Sequence, residues 1–327
     1  MISPSTPRSS FEQLFCADWI APSLIIIGLL TGCATPDKKP AVDGSKPKVV
    51  VTTTVLCDLT KQIAAATVDL VCILTPGIDP HIYKITPDAR QSIEDAKLVL
   101  YGGYNFEPEL IKAIKATANP APKIAVHEIA VTQPEKFEED GKSSIDPHVW
   151  HNAQNGVKLA ETIAANLAKI APNNAAIYQQ NTQKLTTEIK QLDIWIKAQI
   201  ATIPANKKVL FTTHDALGYY SKAYGIPVDA LEGISTEEKP NAARAKELVD
   251  KIKKVQVPTI FAELSLNPQL IKTIAKEANV KVSEQEIYAD GLGDLNSAGG
   301  TYQKMLVTNT QSIVEGLGGK FTPFAIK

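Results

Sequence analysis

The tetrapeptide Ile-Asp-Pro-His occurs twice, at residues 78–81 and 145–148, so two of only five histidines, His81 and His148, share one local frame. Proline fixes its own φ and pushes the preceding residue into extended geometry, which sets each imidazole on a stiff turn. A stiffly held imidazole suits a metal, because little rotamer freedom is left to lose on binding. A third histidine, His214, follows the strand-like run 208–213 and precedes Asp215. The three are 67 and 66 positions apart, so any shared centre must be assembled by the tertiary fold. Asp290, at the end of the extended stretch 287–290, offers a carboxylate. Three imidazoles and one carboxylate suit a divalent first-row cation. Zinc favours nitrogen-rich tetrahedral sites. Manganese accepts imidazole but leans towards oxygen, often from a bidentate carboxylate.

Each of these residues also has a plainer reading. A lone loop histidine is usually a polar surface group, and the repeated frame lifts His81 and His148 above that. His127 lacks the frame and reads as structural. His151, just beyond Trp150, reads as either a neighbour of the cluster or an exposed side chain. Asp290 alone would be a turn aspartate beside Gly291. Asp79 and Asp146 either stabilise their turns or orient the histidine rings. Glu263 follows a strand and could approach the same centre, which leaves a metal-dependent hydrolase as a rival. Against it, the chain contains neither HExxH nor the nucleophile elbow GxSxG.

The chain has 327 residues, 44% hydrophobic and 21% charged, with a formal net charge of −1. Those values describe a globular protein of two domains or one large one. They provide no basic field for nucleic acid, and a monomer is expected. The run Leu24-Ile25-Ile26-Ile27-Gly28-Leu29-Leu30 is too short to span a bilayer. It leads into Leu30-Thr31-Gly32-Cys33, which resembles a bacterial lipobox. On that reading residues 1–32 are a removed leader and Cys33 carries a lipid anchor. Arg8 is accompanied by Glu12 and Asp18 ahead of the run, an atypical balance for an export leader. A short buried helix is the rival, disfavoured by the polar, proline-bearing stretch that follows, which has the composition of a tether over 33–47. Export would permit disulfides. Cys57 and Cys72 are near enough in the expected fold to bridge, although buried free thiols are the commoner outcome. They lack CxxC spacing, so a thiolate metal site is not expected.

The β-branched run 48–55 predicts a buried strand, followed by a helix over 58–66 and strands over 68–74, 97–101 and 123–126, with helices over 86–96 and 107–116 between them. Residues 133–144 are polar and acidic and predict a solvated loop. Helix is predicted over 152–170. It resumes after Pro172 with Leu185, Ile189, Leu192, Ile196 and Ile200 at helical spacing up to 203. The second half repeats the alternation, with strands near 208–213, 226–228, 258–262 and 280–282 and helices over 216–224, 240–255, from 267 and over 301–317. Strands alternating with helices imply an α/β fold. Two lobes, 48–171 and 204–327, each with a mostly parallel sheet flanked by helices, are joined by one long rigid helix within 172–203. His81, His148, His214 and Asp290 all follow strands or extended stretches, two in each lobe. Ligands of such sheets lie beyond the strands' carboxyl ends, so a cleft between the lobes could collect all four.

Five stretches carry a resemblance across nearly the whole mature chain, in order. They are Pro76-Gly77-Ile78-Asp79-Pro80-His81, Asp146-Pro147-His148-Val149-Trp150, Thr213-His214-Asp215-Ala216 with Gly218-Tyr219, Gly233-Ile234-Ser235-Thr236, and Ala289-Asp290-Gly291 with Gly293. In them the chain resembles the zinc/manganese solute-binding proteins of bacterial ABC importers, the ZnuA/TroA family. The resemblance implies two lobes about a rigid helix and one metal in the cleft, held by His81, His148, His214 and Asp290. It also implies a lipid anchor at Cys33, an extracytoplasmic place (periplasmic or at the cell surface), delivery to a membrane permease, and no enzymatic activity. The chain departs from many zinc members in having no histidine-rich loop at 133–144, and from many manganese members in having His214 where they carry glutamate. That mixture resembles members that accept both Zn2+ and Mn2+. A surface adhesin lipoprotein with a purely structural metal is the remaining alternative.

Overall fold

A computed structural model describes residues 46–139 and 142–325. The leader, Cys33 and most of the tether lie outside the described residues. The first lobe opens with β1 (Lys48–Val51) and α1 (Thr54–Ala64), followed by β2 (Asp69–Cys72), α2 (Pro87–Asp95), β3 (Leu98–Tyr101), α3 (Pro108–Ala116), β4 (Lys123–Ala125) and α4 (Val126–Ala130). The sheet is wholly parallel in the order β2-β1-β3-β4, with Val50 opposite Val71 and Val99. Successive side chains point to opposite faces, and both faces are covered, so the strands are apolar throughout rather than alternating. Val49, Val51, Leu98 and Leu100 pack with Leu56, Leu59 and Ile63 of α1. Val50 and Val99 pack with Ile93 and Ile114 on the other face.

Three local readings change. The strand expected over 48–55 stops at Val51, because the Thr53 hydroxyl accepts the Leu56 N–H (3.3 Å) and starts α1 there. Capping outweighs the β propensity of the threonine run. The short helix α4 has no sequence signal of its own. The stretch 133–144 is not a plain loop but holds an antiparallel pair, β5 (Lys136–Glu139) and β6 (Lys142–Ile145), with Lys136 opposite Ile145. Its charged composition hid the pairing, although an Asp-Gly dipeptide stands between the two strands in the sequence. Cys57 and Cys72 are joined in a disulfide, with Cα atoms 5.8 Å apart, which ties α1 to β2.

The first lobe closes with α5 (Ala153–Ile170) and is followed by the 26-residue α6 (Ala175–Ile200), about 39 Å long at the standard rise. Leu185, Ile189, Leu192, Ile196 and Ile200 are all buried, as their spacing predicts. The second lobe contains β7 (Leu210–His214), α7 (Gly218–Tyr224), β8 (Val228–Glu232), α8 (Ala242–Val255), β9 (Thr259–Ile260), α9 (Gln269–Ala278), β10 (Lys281–Val282) and α10 (Tyr302–Gly316). The pairs β7–β8 and β9–β10 are both parallel, and the Phe261 N–H donates to Phe211 O (2.9 Å) to set them side by side. The fold is therefore α/β, with two lobes of parallel strands flanked by helices about one long helix.

Candidate metal centre

The structure gathers His81, His148, His214 and Asp290 in one place. One donor atom from each lies within 4.8 Å of all the others, and all four residues are buried. His81 and His148 sit on the two Asp-Pro-His turns, where each aspartate accepts the N–H of its own histidine at 2.9 Å. From there the turns diverge. Asp146 Oδ1 also takes the His148 ring Nδ1 at 2.8 Å, so it both shapes the turn and orients the ring. Asp79 uses its second oxygen to accept the Thr236 hydroxyl of the other lobe at 2.6 Å, and so ties the first turn across the cleft. Gly218 permits the close approach at the second turn, since a side-chain carbon there would lie 2.7 Å from Asp146 Oδ2.

His214 ends β7. Its Nδ1 bonds Glu263 Oε2, while Glu263 Oε1 accepts the Thr213 and His214 N–H groups at 2.9 and 2.8 Å. Carboxylates on Nδ1 hold the proton there in His148 and His214 and leave the Nε2 lone pairs facing inward. Asp290 is fixed from both sides of its own backbone. His151 Nε2 donates to Ala289 O (2.8 Å), and the Leu292 N–H donates to Thr54 Oγ1 (2.8 Å). His151 is therefore not exposed but a neighbour of the cluster, outside the four donors. It supports the Asp290 loop from the first lobe. His127 is buried away from the cluster, with its ring 5.4 Å from that of Trp150.

The inner atoms are arranged around a point. Asp290 Oδ1 is 3.2 Å from His148 Nε2, 3.2 Å from His214 Nε2 and 3.7 Å from His81 Nε2, and the His81 and His148 Nε2 atoms are 3.3 Å apart. These four separations, 3.2–3.7 Å, are those of ligand atoms sharing one cation at bonds of about 2.0–2.3 Å, and no separation in the set exceeds 4.8 Å. His214 Nε2 and Asp290 Oδ1 are buried yet have no hydrogen-bond partner, although they are neighbours. Burying such atoms unpaired is costly, and a cation at the centre would satisfy both. The buried Phe106 ring packs T-shaped against His81 and His148, with centroids 5.1 and 5.4 Å away.

The electrostatics match this arrangement. Burial, the largest single effect, opposes charge on His148, but Asp146 and Asp290 outweigh it and raise its pKa. Burial likewise opposes charge on His214, and Asp290 and Glu263 lift it well above the ordinary histidine value. Burial works against the Asp290 carboxylate too, yet His214, His148 and His81 hold its pKa well below the usual carboxylate range. Burial brings His151 down to about 3, with the nearby His148 adding to the effect, so that it stays neutral.

Thr54 carried no signal in the sequence, and Thr236 only its place in the Gly233-Ile234-Ser235-Thr236 stretch. Glu263 carried an ambiguous one, its place just after a strand, and of the two readings of His151 the structure keeps the neighbour of the cluster.

The chain is similar to known proteins over most of its length. Residues 49–316 match the family model described as zinc-uptake complex component A, periplasmic. The manganese ABC transporter substrate-binding lipoprotein PsaA of Streptococcus mitis is 34% identical over 296 residues, covering 88% of this chain and 94% of that protein. The metal ABC transporter substrate-binding lipoprotein SsaB of Streptococcus sanguinis is 33% identical over 303 residues, 90% of this chain and 97% of that one. Among solved structures, the periplasmic zinc-binding protein TroA from Treponema pallidum superimposes with a TM-score of 0.80 at 30% identity, over 84% of this chain and 99% of its own. The chain belongs to the zinc-uptake complex component A family of metal-importer substrate-binding proteins.

Proposed function

We propose that this chain captures one zinc or manganese ion between its lobes and delivers it to the membrane permease of an ABC importer. The observation that carries the reading is the set of four inward-facing donors, two from each lobe, gathered within 4.8 Å and including two buried atoms with no hydrogen-bond partner. In this reading His81, His148, His214 and Asp290 are the cation's ligands, and Asp146 and Glu263 hold two of the imidazoles in the ligating tautomer. The named relatives bind manganese or other metals through importers of this type, and TroA binds zinc. The lobes run over 48–171 and 204–327 about the connecting segment 172–203, behind the leader 1–32 and the tether 33–47. PsaA and SsaB are named lipoproteins, which supports an extracytoplasmic, lipid-anchored chain attached through Cys33. In this reading the chain acts as a monomer. The hydrolase alternative loses its candidate base, because the Glu263 carboxylate already accepts three hydrogen bonds.

The test is a thermal melt of chelator-treated protein with and without zinc or manganese, paired with elemental analysis of protein purified without added metal. A ligand present at about 1,000 times its Kd adds about 4 kcal/mol to stability, a shift of many degrees. An unchanged melting temperature with both ions refutes the reading. A purely structural metal predicts normal metal uptake in a strain lacking the protein, whereas a capture protein predicts a defect.

A further inference from the structure

We propose that Ser265 sets how many oxygens Asp290 offers, and thereby tilts the centre towards zinc over manganese. The proposal rests on the capture reading above and adds a residue that positions a ligand without touching the cation. The two Asp290 oxygens have different surroundings. Oδ1 faces the three imidazole nitrogens and has no hydrogen-bond partner. Oδ2 is turned outward and accepts the Ser265 hydroxyl at 3.5 Å. Ser265, Asp290, Thr54 and Thr75 line a small, partly open cavity of about 10 Å3, with Ile78 and Leu264 at its rim. That volume holds about one water.

The segment bearing Ser265 is firmly placed. Leu264 N–H donates to Ile287 O (3.0 Å), and Ile287 N–H donates to Ala262 O (2.8 Å). Residues 263–265 thus serve two of the four donors at once, His214 through Glu263 and Asp290 through Ser265. Rotating the carboxylate to present both oxygens inward breaks the bond to Ser265. With the bond kept, each of the four residues offers one atom, the count that suits tetrahedral zinc. A manganese ion gains from additional oxygens, so it bears the cost of that rotation and zinc does not.

The experiment uses chelator-treated wild-type protein and the variants Ser265→Ala and Ser265→Thr, with zinc and manganese titrated in competition against a chromophoric chelator. Manganese binding is read independently by electron paramagnetic resonance. Ser265→Ala should lower the preference for zinc over manganese by about twofold, the value of a long, weak hydrogen bond, with the metal-free melting temperature unchanged. Ser265→Thr retains a hydroxyl and should restore the wild-type ratio. Should the alanine variant fold poorly, Ser265→Cys, close in size and a weak donor, should show the same shift. An unchanged ratio, or equal loss of both ions, overturns the role of Ser265 and leaves capture intact. Wild-type protein that binds neither ion overturns both.

Discussion

Replacing Glu263 with glutamine removes one proton acceptor and leaves the shape nearly unchanged. Glu263 Oε1 accepts the Thr213 and His214 N–H groups, at 2.9 and 2.8 Å, and an amide oxygen can keep both bonds. The amide nitrogen then occupies the place of Oε2, opposite His214 Nδ1. Two donors cannot face each other, so His214 must move its proton to Nε2, the atom aimed at the cation. Either the ring keeps the wrong tautomer or the glutamine breaks its backbone bonds. Lost carboxylate support of a ligating histidine costs about 10–100-fold in metal affinity, or about 1.4–2.8 kcal/mol. Asp146→Asn is the internal control. There a single oxygen, Oδ1, accepts both the His148 N–H and Nδ1, at 2.9 and 2.8 Å, and an amide oxygen can retain both. Its loss should therefore be the smaller of the two. Calorimetric titration with zinc gives the affinities, and nitrogen-15 chemical shifts of the His214 ring report its tautomer. Glu263→Gln protein binding within about threefold of wild type, or showing an unchanged tautomer, refutes the reasoning.

His148→Ala deletes a donor and should abolish measurable capture, whereas His151→Ala only loosens the Asp290 loop at Ala289 and should cost about tenfold, both read by the same titration. Metal affinity should rise with pH. In the metal-free protein the raised pKa values of His148 and His214 stabilise the fold fully below the ordinary histidine value, and that contribution fades as pH rises through the folded values. The depressed Asp290 contribution is present above the ordinary carboxylate value and fades only in acid. Up to two protons must leave before a cation enters, each worth about 1.4 kcal/mol per pH unit below its pKa. The melting shift caused by zinc should therefore widen steadily from about pH 5.5 to 8, and a shift that narrows over that range contradicts the scheme. Reducing the Cys57–Cys72 disulfide, whose partners are 15 positions apart, should cost about 3 kcal/mol in a denaturant melt.

What was legible in the sequence was the rigid part of the design. The paired Asp-Pro-His turns are local, because proline and an aspartate accepting its neighbour's N–H act within four residues, and so the geometry around His81 and His148 shows in the string itself. The five apolar positions of α6 fall on one helical face and could be read the same way. The supports were not legible, because each acts across a long sequence distance. Glu263 is 49 positions from His214, Thr236 is 157 from Asp79, and Thr54 is 238 from Leu292. No periodicity links such pairs. The β5–β6 hairpin was missed for another reason, since its composition reads as loop and hydrophobic alternation is the usual signal of a strand.

These long-range bonds also set which elements hold each donor. Asp290 belongs to the second lobe by sequence, yet His151 and Thr54 of the first lobe hold the backbone on either side of it. Close by, the Tyr302 hydroxyl donates to Trp150 O (2.6 Å) and the Tyr302 N–H donates to Asp58 (2.8 Å), which binds the start of α10 to the first lobe as well. His214, by contrast, is held by Glu263 within its own lobe. Mechanically, His148 and Asp290 form a fixed half of the centre. His214 is joined to that half less directly, since Glu263, which holds it, is next to Leu264, whose N–H donates to Ile287 O (3.0 Å) on the segment leading to Asp290. Asp290 is therefore braced from both lobes at once, by His151 and Thr54 on one side and by residues 263–265 on the other.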